Sequence, residues 1–270
     1  CRDHFIEYFE NKFKNTLKDF NVLNNDDKVM VACSGGKDSL TVLFLLNKLG
    51  YNVSALVVDE GISNFRIKTL NHVKQFCEKN NIKLIITSFK DVYGKPLENI
   101  LEKLPDSVSK NPCTVCGTLR RYLLNKLSKD FDKLATGHGL DDECQAILMN
   151  LFKGNTDLLW KSSPITPKIK GFTQKIKPLY FCTEKEIAAY AFLNGYYKTF
   201  PSCPNVNPSF RKQVRIALNN YYLAHKDVKL NIINKHLSVL KKVKGNVRSD
   251  ILELNEYIKN YLNVEKLKVQ

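Results

Sequence analysis

Phe5, Ile6, Phe9, Phe13, Leu17 and Phe20 recur at three- and four-residue spacing and predict an amphipathic helix over residues 5–20. The pattern then changes. Short apolar runs at 28–33, 53–59, 82–87 and 133–136 read as buried strands, and helical spacing over 38–49, 66–79, 118–128 and 141–152 falls between and after them. Short strands separated by amphipathic helices predict a doubly wound α/β domain, a parallel sheet covered on both faces. The stretch 156–181, basic and Pro-containing, predicts irregular structure or an edge strand. Helical spacing returns at 184–194 and, after Pro201, Pro204 and Pro208, at 214–225, 231–243 and 248–262. This divides the chain into an N-terminal helix (1–23), a catalytic α/β domain (24–201) and a basic helical region (202–270).

Ligands of doubly wound sheets sit beyond the carboxyl ends of the strands, so the residues after each strand carry the first chemical information. The first strand runs into Cys33-Ser34-Gly35-Gly36-Lys37-Asp38-Ser39 and then directly into a helix. Two glycines free backbone N–H groups to face an anion, Ser34 and Ser39 add hydroxyls, and the helix N-terminus adds its positive dipole end. This is a phosphate cradle, but not a Walker A loop, whose first glycine would fall inside the strand here. Asp59 ends the second strand, where a carboxylate can meet ribose, adenine or metal. Thr136-Gly137-His138-Gly139-Leu140-Asp141-Asp142 follows the last strand, with two glycines suited to close approach and two aspartates for metal or general-base work, or for capping the next helix.

The chain of 270 residues carries 42 basic and 27 acidic side chains, a formal charge of +15. Residues 209–270 alone hold 13 Lys and Arg against 5 Asp and Glu. Such a field attracts polyanions, nucleic acid first among them. Lys161, Lys168 and Lys170 in the irregular stretch and Arg211, Lys212 and Arg215 after it are the candidate phosphate contacts, with Phe210, Tyr221 and Tyr222 as candidate stacking partners. At 43% hydrophobic, with 12 Gly and 9 Pro, the composition excludes a disordered or collagen-like chain. No apolar run approaches the roughly 18 residues of a membrane span.

Eight cysteines with no signal-peptide pattern suit a reducing cytoplasm better than a secreted disulfide scaffold. Cys113 and Cys116 form a Cys-x-x-Cys at a predicted helix start, where lowered thiol pKa values are expected, and Cys203 sits in a proline-flanked turn. Cys33, Cys77, Cys144 and Cys182 read as structural.

The SGGKDS loop is the signature of ATP pyrophosphatases. Together with PCTVCGTLRR, TGHGLDD and the SCP turn, in that order, it resembles the tRNA 2-thiouridine synthetases, the TtcA/TtuA-like family that includes the archaeal and eukaryotic cytosolic wobble-uridine thiolases. The resemblance covers residues 1 to about 240. It implies ATP bound by Ser34–Ser39, with Lys37 on the pyrophosphate, Asp38 beside Mg²⁺, and Asp59, Arg120 and Gly139 as further contacts. It makes Lys37, Asp38, Asp141 and Asp142 the catalytic candidates. It implies a [4Fe–4S] cluster on Cys113, Cys116 and Cys203, whose open iron takes hydrosulfide. The expected reaction adenylates the C2 oxygen of a tRNA uridine, the wobble uridine by preference, and replaces it with sulfur. A sulfide donor or ubiquitin-like sulfur carrier and a homodimer are implied as partners.

The family also carries zinc ribbons. Cys1 and His4 resemble half of the N-terminal one and fall two ligands short of a zinc site. Three alternatives remain open on the residues alone. The same cysteines suit persulfide transfer without iron, the loop suits an ATP pyrophosphatase with an amine nucleophile such as a tRNA lysidine synthetase, and the charge suits a non-catalytic tRNA-binding module holding structural zinc.

Overall fold

The computed structural model describes residues 1–242 except 63, 64, 202 and 206–209. The helix expected at 248–262 lies outside the described residues. In chain order the elements are α1 (Arg2–Asp19), β1 (Lys28–Ala32), α2 (Lys37–Lys48), β2 (Asn52–Asp59), α3 (Phe65–Lys79), β3 (Lys83–Ser88), α4 (Phe89–Tyr93), α5 (Leu97–Leu101), α6 (Asp106–Ser109), α7 (Pro112–Leu127), β4 (Lys133–Ala135) and α8 (Leu140–Phe152). A 3₁₀ turn (Thr156–Lys161), β5 (Gln174–Ile176), α9 (Glu184–Leu193), α10 (Phe210–Ala224) and α11 (Val228–Lys242) follow. Three short helices, α4 to α6, occupy a stretch whose sequence shows no helical period. Five residues or fewer cannot display one.

The five strands are all parallel, in the order β3-β2-β1-β4-β5. Val31 of β1 sits opposite both Ala55 of β2 and Ala135 of β4, so the strands end along one edge. The sheet order reverses between β1 and β4, which opens a crevice there. The irregular stretch contributes β5 as the outer edge strand, as its composition suggested.

Strand alternation separates two packed layers. Val29, Val31, Val53, Ala55 and Val57 join Phe9, Phe13 and the apolar faces of α2, α3 and α9 in one core. Met30, Leu56 and Leu134 point the other way, against Leu124 and Leu127 of α7. Helix α1 is fastened at its outer edge as well. Lys12 meets Glu186 at 2.8 Å, and Glu10 accepts from Tyr190 and Lys48 at 2.7 and 2.6 Å.

Helices α10 and α11 lie on α8, with Leu218 and Ile233 closing over Leu140, Cys144 and Ile147. The almost buried Lys229 reinforces this contact by pairing with Asp141. Cys33, Cys77, Cys144 and Cys182 are all buried, as expected of structural cysteines.

Two glycines allow close packing around the phosphate loop, Gly35 against α3 and Gly137 against the start of α2. Gly35 has φ of +92°, and a Cβ there would lie 2.9 Å from Thr69 of α3. A Cβ on Gly137 would lie 2.7 Å from the backbone nitrogen of Ser39 and 2.8 Å from the carbonyl carbon of Asp38. The close approach expected of Gly137 is therefore to the neighbouring loop. Gly137→Ala should lower stability by about 2 kcal/mol through overpacking. Gly50→Ala, at a left-handed position with open space around it, should cost about 1 kcal/mol. Denaturant midpoints check both.

Candidate functional site

The loop after β1 is held from within and behind. Ser39 Oγ accepts from the Ser34 N–H at 3.2 Å and donates to the Gly36 carbonyl at 3.1 Å, and Ser34 Oγ accepts from the Gly36 N–H at 3.3 Å. From behind, the buried Arg66 donates to the Ser34 carbonyl at 2.9 Å and to the Val58 carbonyl at the end of β2. Arg66 also pairs with Glu60, Nε to Oε2 at 3.2 Å, and the second carboxylate oxygen of Glu60 meets Arg120 at 3.3 Å. One buried carboxylate thus joins a guanidinium fixing the loop to one from α7, which is half exposed to the cavity.

Glu60 and Arg66 were not singled out by sequence reasoning, which placed Asp59 here. Asp59 instead turns back to accept the Gly61 N–H at 2.9 Å, and Glu60, one residue later, reaches the cavity. The chain reverses sharply after the strand, so the side chain that enters the crevice is set by the turn. A polar, charged residue directly after a strand-end aspartate was the available signal.

A cavity of about 560 Å³ joins these groups. The loop residues Ser34, Gly36, Lys37 and Asp38 lie on one side, Glu60, Arg66 and Arg120 on another, and Cys113, Cys116 and Cys203 on a third. The three cysteines, 90 residues apart at the extremes, therefore share one wall. Cys113 Sγ donates to the carbonyl of Asn205, just after Cys203, at 3.3 Å. The pair Cys113 and Cys116 occupies the first turn of α7, behind Pro112, as expected. The lowered thiol pKa is not found at Cys116: burial, with Glu60 adding to it, pushes that thiol up to about 11. Low dielectric and a nearby carboxylate both disfavour a free thiolate.

A second cavity, of about 420 Å³, lies on the other side of Lys37 and Asp38. Gly139, Asp141, Asp142, Glu184, Arg211, Lys212 and Arg215 line it. Lys37 contacts Asp38 at 3.1 Å and Glu184 at 3.6 Å. Burial opposes its charge, yet Asp38 and Glu184 outweigh burial and hold its pKa above the usual lysine value. Burial pushes Asp38 above the usual carboxylate range, with Lys37 opposing and Asp142 and Glu184 adding to the rise. Asp38 therefore gains from an added cation, and a divalent cation held mainly by other oxygens needs only one or two protein carboxylates.

The paired aspartates divide. Asp141 is committed on both oxygens, to Lys229 and to the Glu184 N–H at 2.7 Å, and ties α8 to α11 and α9. Asp142 accepts the Gly139 N–H at 3.3 Å and pairs with Arg211 at 2.7 Å, facing the second cavity. His138 bonds its own turn, Nδ1 to Thr136 Oγ1 at 2.9 Å, and lines neither cavity that Lys37 lines.

The candidate phosphate contacts also separate. Lys212 and Arg215 face the second cavity, Arg211 borders it, and Lys161 lines a third cavity beside α8. Lys168 and Lys170 are exposed on the segment that walls that third cavity. Of the aromatics, Tyr221 is exposed, Tyr222 lies under Lys229 at 4.3 Å, and Phe210 packs edge-on against Phe152.

Comparison with known proteins gives a single direction. Residues 6–214 match the PP-loop domain family. The chain is 35% identical over 243 residues to the tRNA-5-methyluridine(54) 2-sulfurtransferase of Pyrococcus horikoshii, covering 89% of this chain and 76% of that one. This chain belongs to the PP-loop family of tRNA 2-thiolation enzymes. The cytoplasmic tRNA 2-thiolation protein 1 of Xenopus laevis is 30% identical, covering 90% of this chain and 74% of its own. The solved U34-tRNA thiolase NcsA from Methanococcus maripaludis, with its [4Fe–4S] cluster, superposes with a TM-score of 0.81 at 31% identity, over 99% of this chain and 91% of that one.

The cysteine wall fits such a cluster. Among the described residues no three His, Cys, Asp or Glu side chains are arranged to hold a single metal ion. A four-iron cube takes its thiolates on separate irons, so ligands ringing a cavity suit it where a tetrahedral ion needs convergence. The Asn205 Nδ2 is buried without a hydrogen-bond partner at this wall, a donor matched to acceptor sulfur. Cys1 and His4 are both exposed, and among the described residues no third His, Cys, Asp or Glu joins them.

Protein purified without oxygen should carry about four iron and four acid-labile sulfide per chain, lost in Cys203→Ala. Zinc or no metal in protected protein overturns the cluster assignment. Glu60→Gln should lower stability by about 3 kcal/mol, because it leaves Arg66 buried without its carboxylate, and a denaturant midpoint measures this.

Proposed function

We propose that this protein 2-thiolates a tRNA uridine at the wobble position, using ATP to activate the C2 oxygen. The observation that carries the reading is the single cavity shared by the phosphate loop, Arg120 and the three cysteines. The N–H groups at the N-terminus of α2, beside the serine hydroxyls of the loop, receive the pyrophosphate portion of ATP. Lys37, held protonated by Asp38 and Glu184, neutralises charge as it develops on the leaving pyrophosphate. Asp38 holds Mg²⁺ beside it. Arg120, kept at the cavity by Glu60, faces the α-phosphate region.

The uridine C2 oxygen attacks the α-phosphorus and pyrophosphate leaves, so the oxygen becomes part of an AMP leaving group. Cys113, Cys116 and Cys203 would hold a cluster, which would supply iron as a Lewis acid for sulfide. Sulfide forms the bond to C2 as the bond from C2 to the adenylated oxygen breaks and AMP leaves, so the exchange needs no net redox change. Asp142, with Arg211 and the basic side chains Lys212 and Arg215, lies where the tRNA backbone approaches Lys37. The third cavity's rim of Lys161, Lys168 and Lys170 extends this basic surface. A sulfide donor or ubiquitin-like sulfur carrier as the source, a homodimer as the working assembly and a cytoplasmic location belong to the same proposal. Among the described residues no helix is long and apolar enough to cross a membrane.

The 35%-identical relative is named for position 54, which supports a T-loop uridine as the second reading. Nucleoside mass spectrometry of reacted tRNA separates the two by locating 2-thiouridine. With tRNA present, AMP formation should fall by about 100-fold in Lys37→Ala. Cys203→Ala should retain ATP binding and lose thiolation. Sulfur-free AMP formation with an amine acceptor, undiminished by Cys113→Ala, would contradict the reading.

A further inference from the structure

A third cavity, of about 510 Å³, opens between α8 and the segment that carries β5. It shares no lining residue with the cavity holding the cysteines, and it adjoins the second cavity through Asp142 and Arg211. Arg121, Lys161, Lys175, Lys177 and Arg211 line it, against the carboxylates of Asp142 and Glu143. Those two carboxylates are already engaged: Lys177 meets Glu143 at 2.6 Å, and Arg211 meets Asp142 at 2.7 Å. The wall bearing Arg121 and Lys175 therefore carries uncompensated positive charge. Burial, with the neighbouring cations Arg121, Lys161 and Lys177 adding to it, pushes the Lys175 amine down to about 8. A bound anion relieves that repulsion.

The rest of the lining is unlike a plain phosphate site. Leu158, Pro167, Ile169 and Phe172 form an apolar wall, with Asn150 beside it to hydrogen-bond a ring edge. His138 also lines this cavity. An anion joined to a flat heterocycle satisfies both halves of such a pocket, and a nucleotide is that ligand.

We propose that this cavity takes a second extruded nucleotide of the tRNA, its base against Phe172 and its phosphate at Lys175 and Arg121. This rests on the thiolase reading above. The uridine that reacts must reach Lys37 and the cysteines, so the nucleotide held here is a different one. Arg211, on the rim of both outer cavities, marks the path of the backbone between them. Splaying a neighbour out of the loop stack adds recognition of the loop to recognition of the uridine.

The test uses the whole protein and labels lysines of the wild type with acetic anhydride, read by mass spectrometry. Substrate tRNA should protect Lys175 by about fivefold or more. Phe172→Ala should bind tRNA about tenfold more weakly, as expected for one lost base stack, with ATP affinity and cluster content unchanged. Lys175→Ala should reduce the salt slope of tRNA binding by about one. Lys175 left unprotected by bound tRNA overturns the proposal, and so does unchanged affinity in folded Phe172→Ala. The wild-type footprint decides the matter where Phe172→Ala fails to fold. Protection by uridine 5′-monophosphate but not by tRNA assigns the cavity to a free nucleotide and overturns the proposal too. Wild-type protein that fails to bind tRNA at all sinks the thiolase reading itself, an outcome distinct from binding that bypasses this cavity.

Discussion

The guanidinium of Arg66 is the joint on which the site depends. It bonds the carbonyl of Ser34 at the end of β1 and that of Val58 at the end of β2, and it pairs with Glu60. A loop of small residues between a strand and a helix has little side-chain packing to hold it. With the Ser34 carbonyl turned toward Arg66 and the Ser34 and Gly36 N–H groups bonded within the loop, the N–H groups at the start of α2 are the ones left for an anion. Burying the charge is costly unless its partners are well placed, and the same desolvation makes a partial removal damaging. Glu60 passes the constraint on to Arg120, so the position of the phosphate loop and the position of a cation from α7 are linked through one carboxylate.

The reversal of the sheet between β1 and β4 creates the crevice that these residues furnish. Close packing of Gly137 on the start of α2 brings the loop after β4 against the phosphate loop, and Asp141 then ties α8 to the helices around it. The resulting site has chemically distinct sides. One side combines phosphate donors with three accessible cysteines, and the other combines carboxylates with Arg211, Lys212 and Arg215. Lys37 and Asp38 stand between them. ATP-dependent activation and sulfur delivery on one side, with nucleic acid approaching from the other, is a division of labour that such a partition supports.

Burial also sorts the cysteines. The four structural thiols lie inside the packed layers, and burial raises the pKa of each. Cys113, Cys116 and Cys203 alone meet at a cavity wall. Cys116 shares the raised pKa, so its thiolate is favoured by a metal rather than by the helix N-terminus.

Much of the fold was legible along the chain because strand and helix periods are local. The alternation from residue 5 to 194, the phosphate loop, the Cys-x-x-Cys at a helix start and the edge strand in the basic stretch all follow from neighbours within a few residues. The sequence by itself also determined the family, since motifs in a set order carry that information. It did not determine which side chains turn into the crevice. The turn after β2 sends Asp59 back to its own backbone and presents Glu60, a choice no periodicity encodes. The meeting of Cys203 with Cys113, the commitment of Asp141 to Lys229 and the crowding of cations around Phe172 join residues tens of positions apart. Only close packing in three dimensions brings such groups together, and their charges and pKa values depend on that packing.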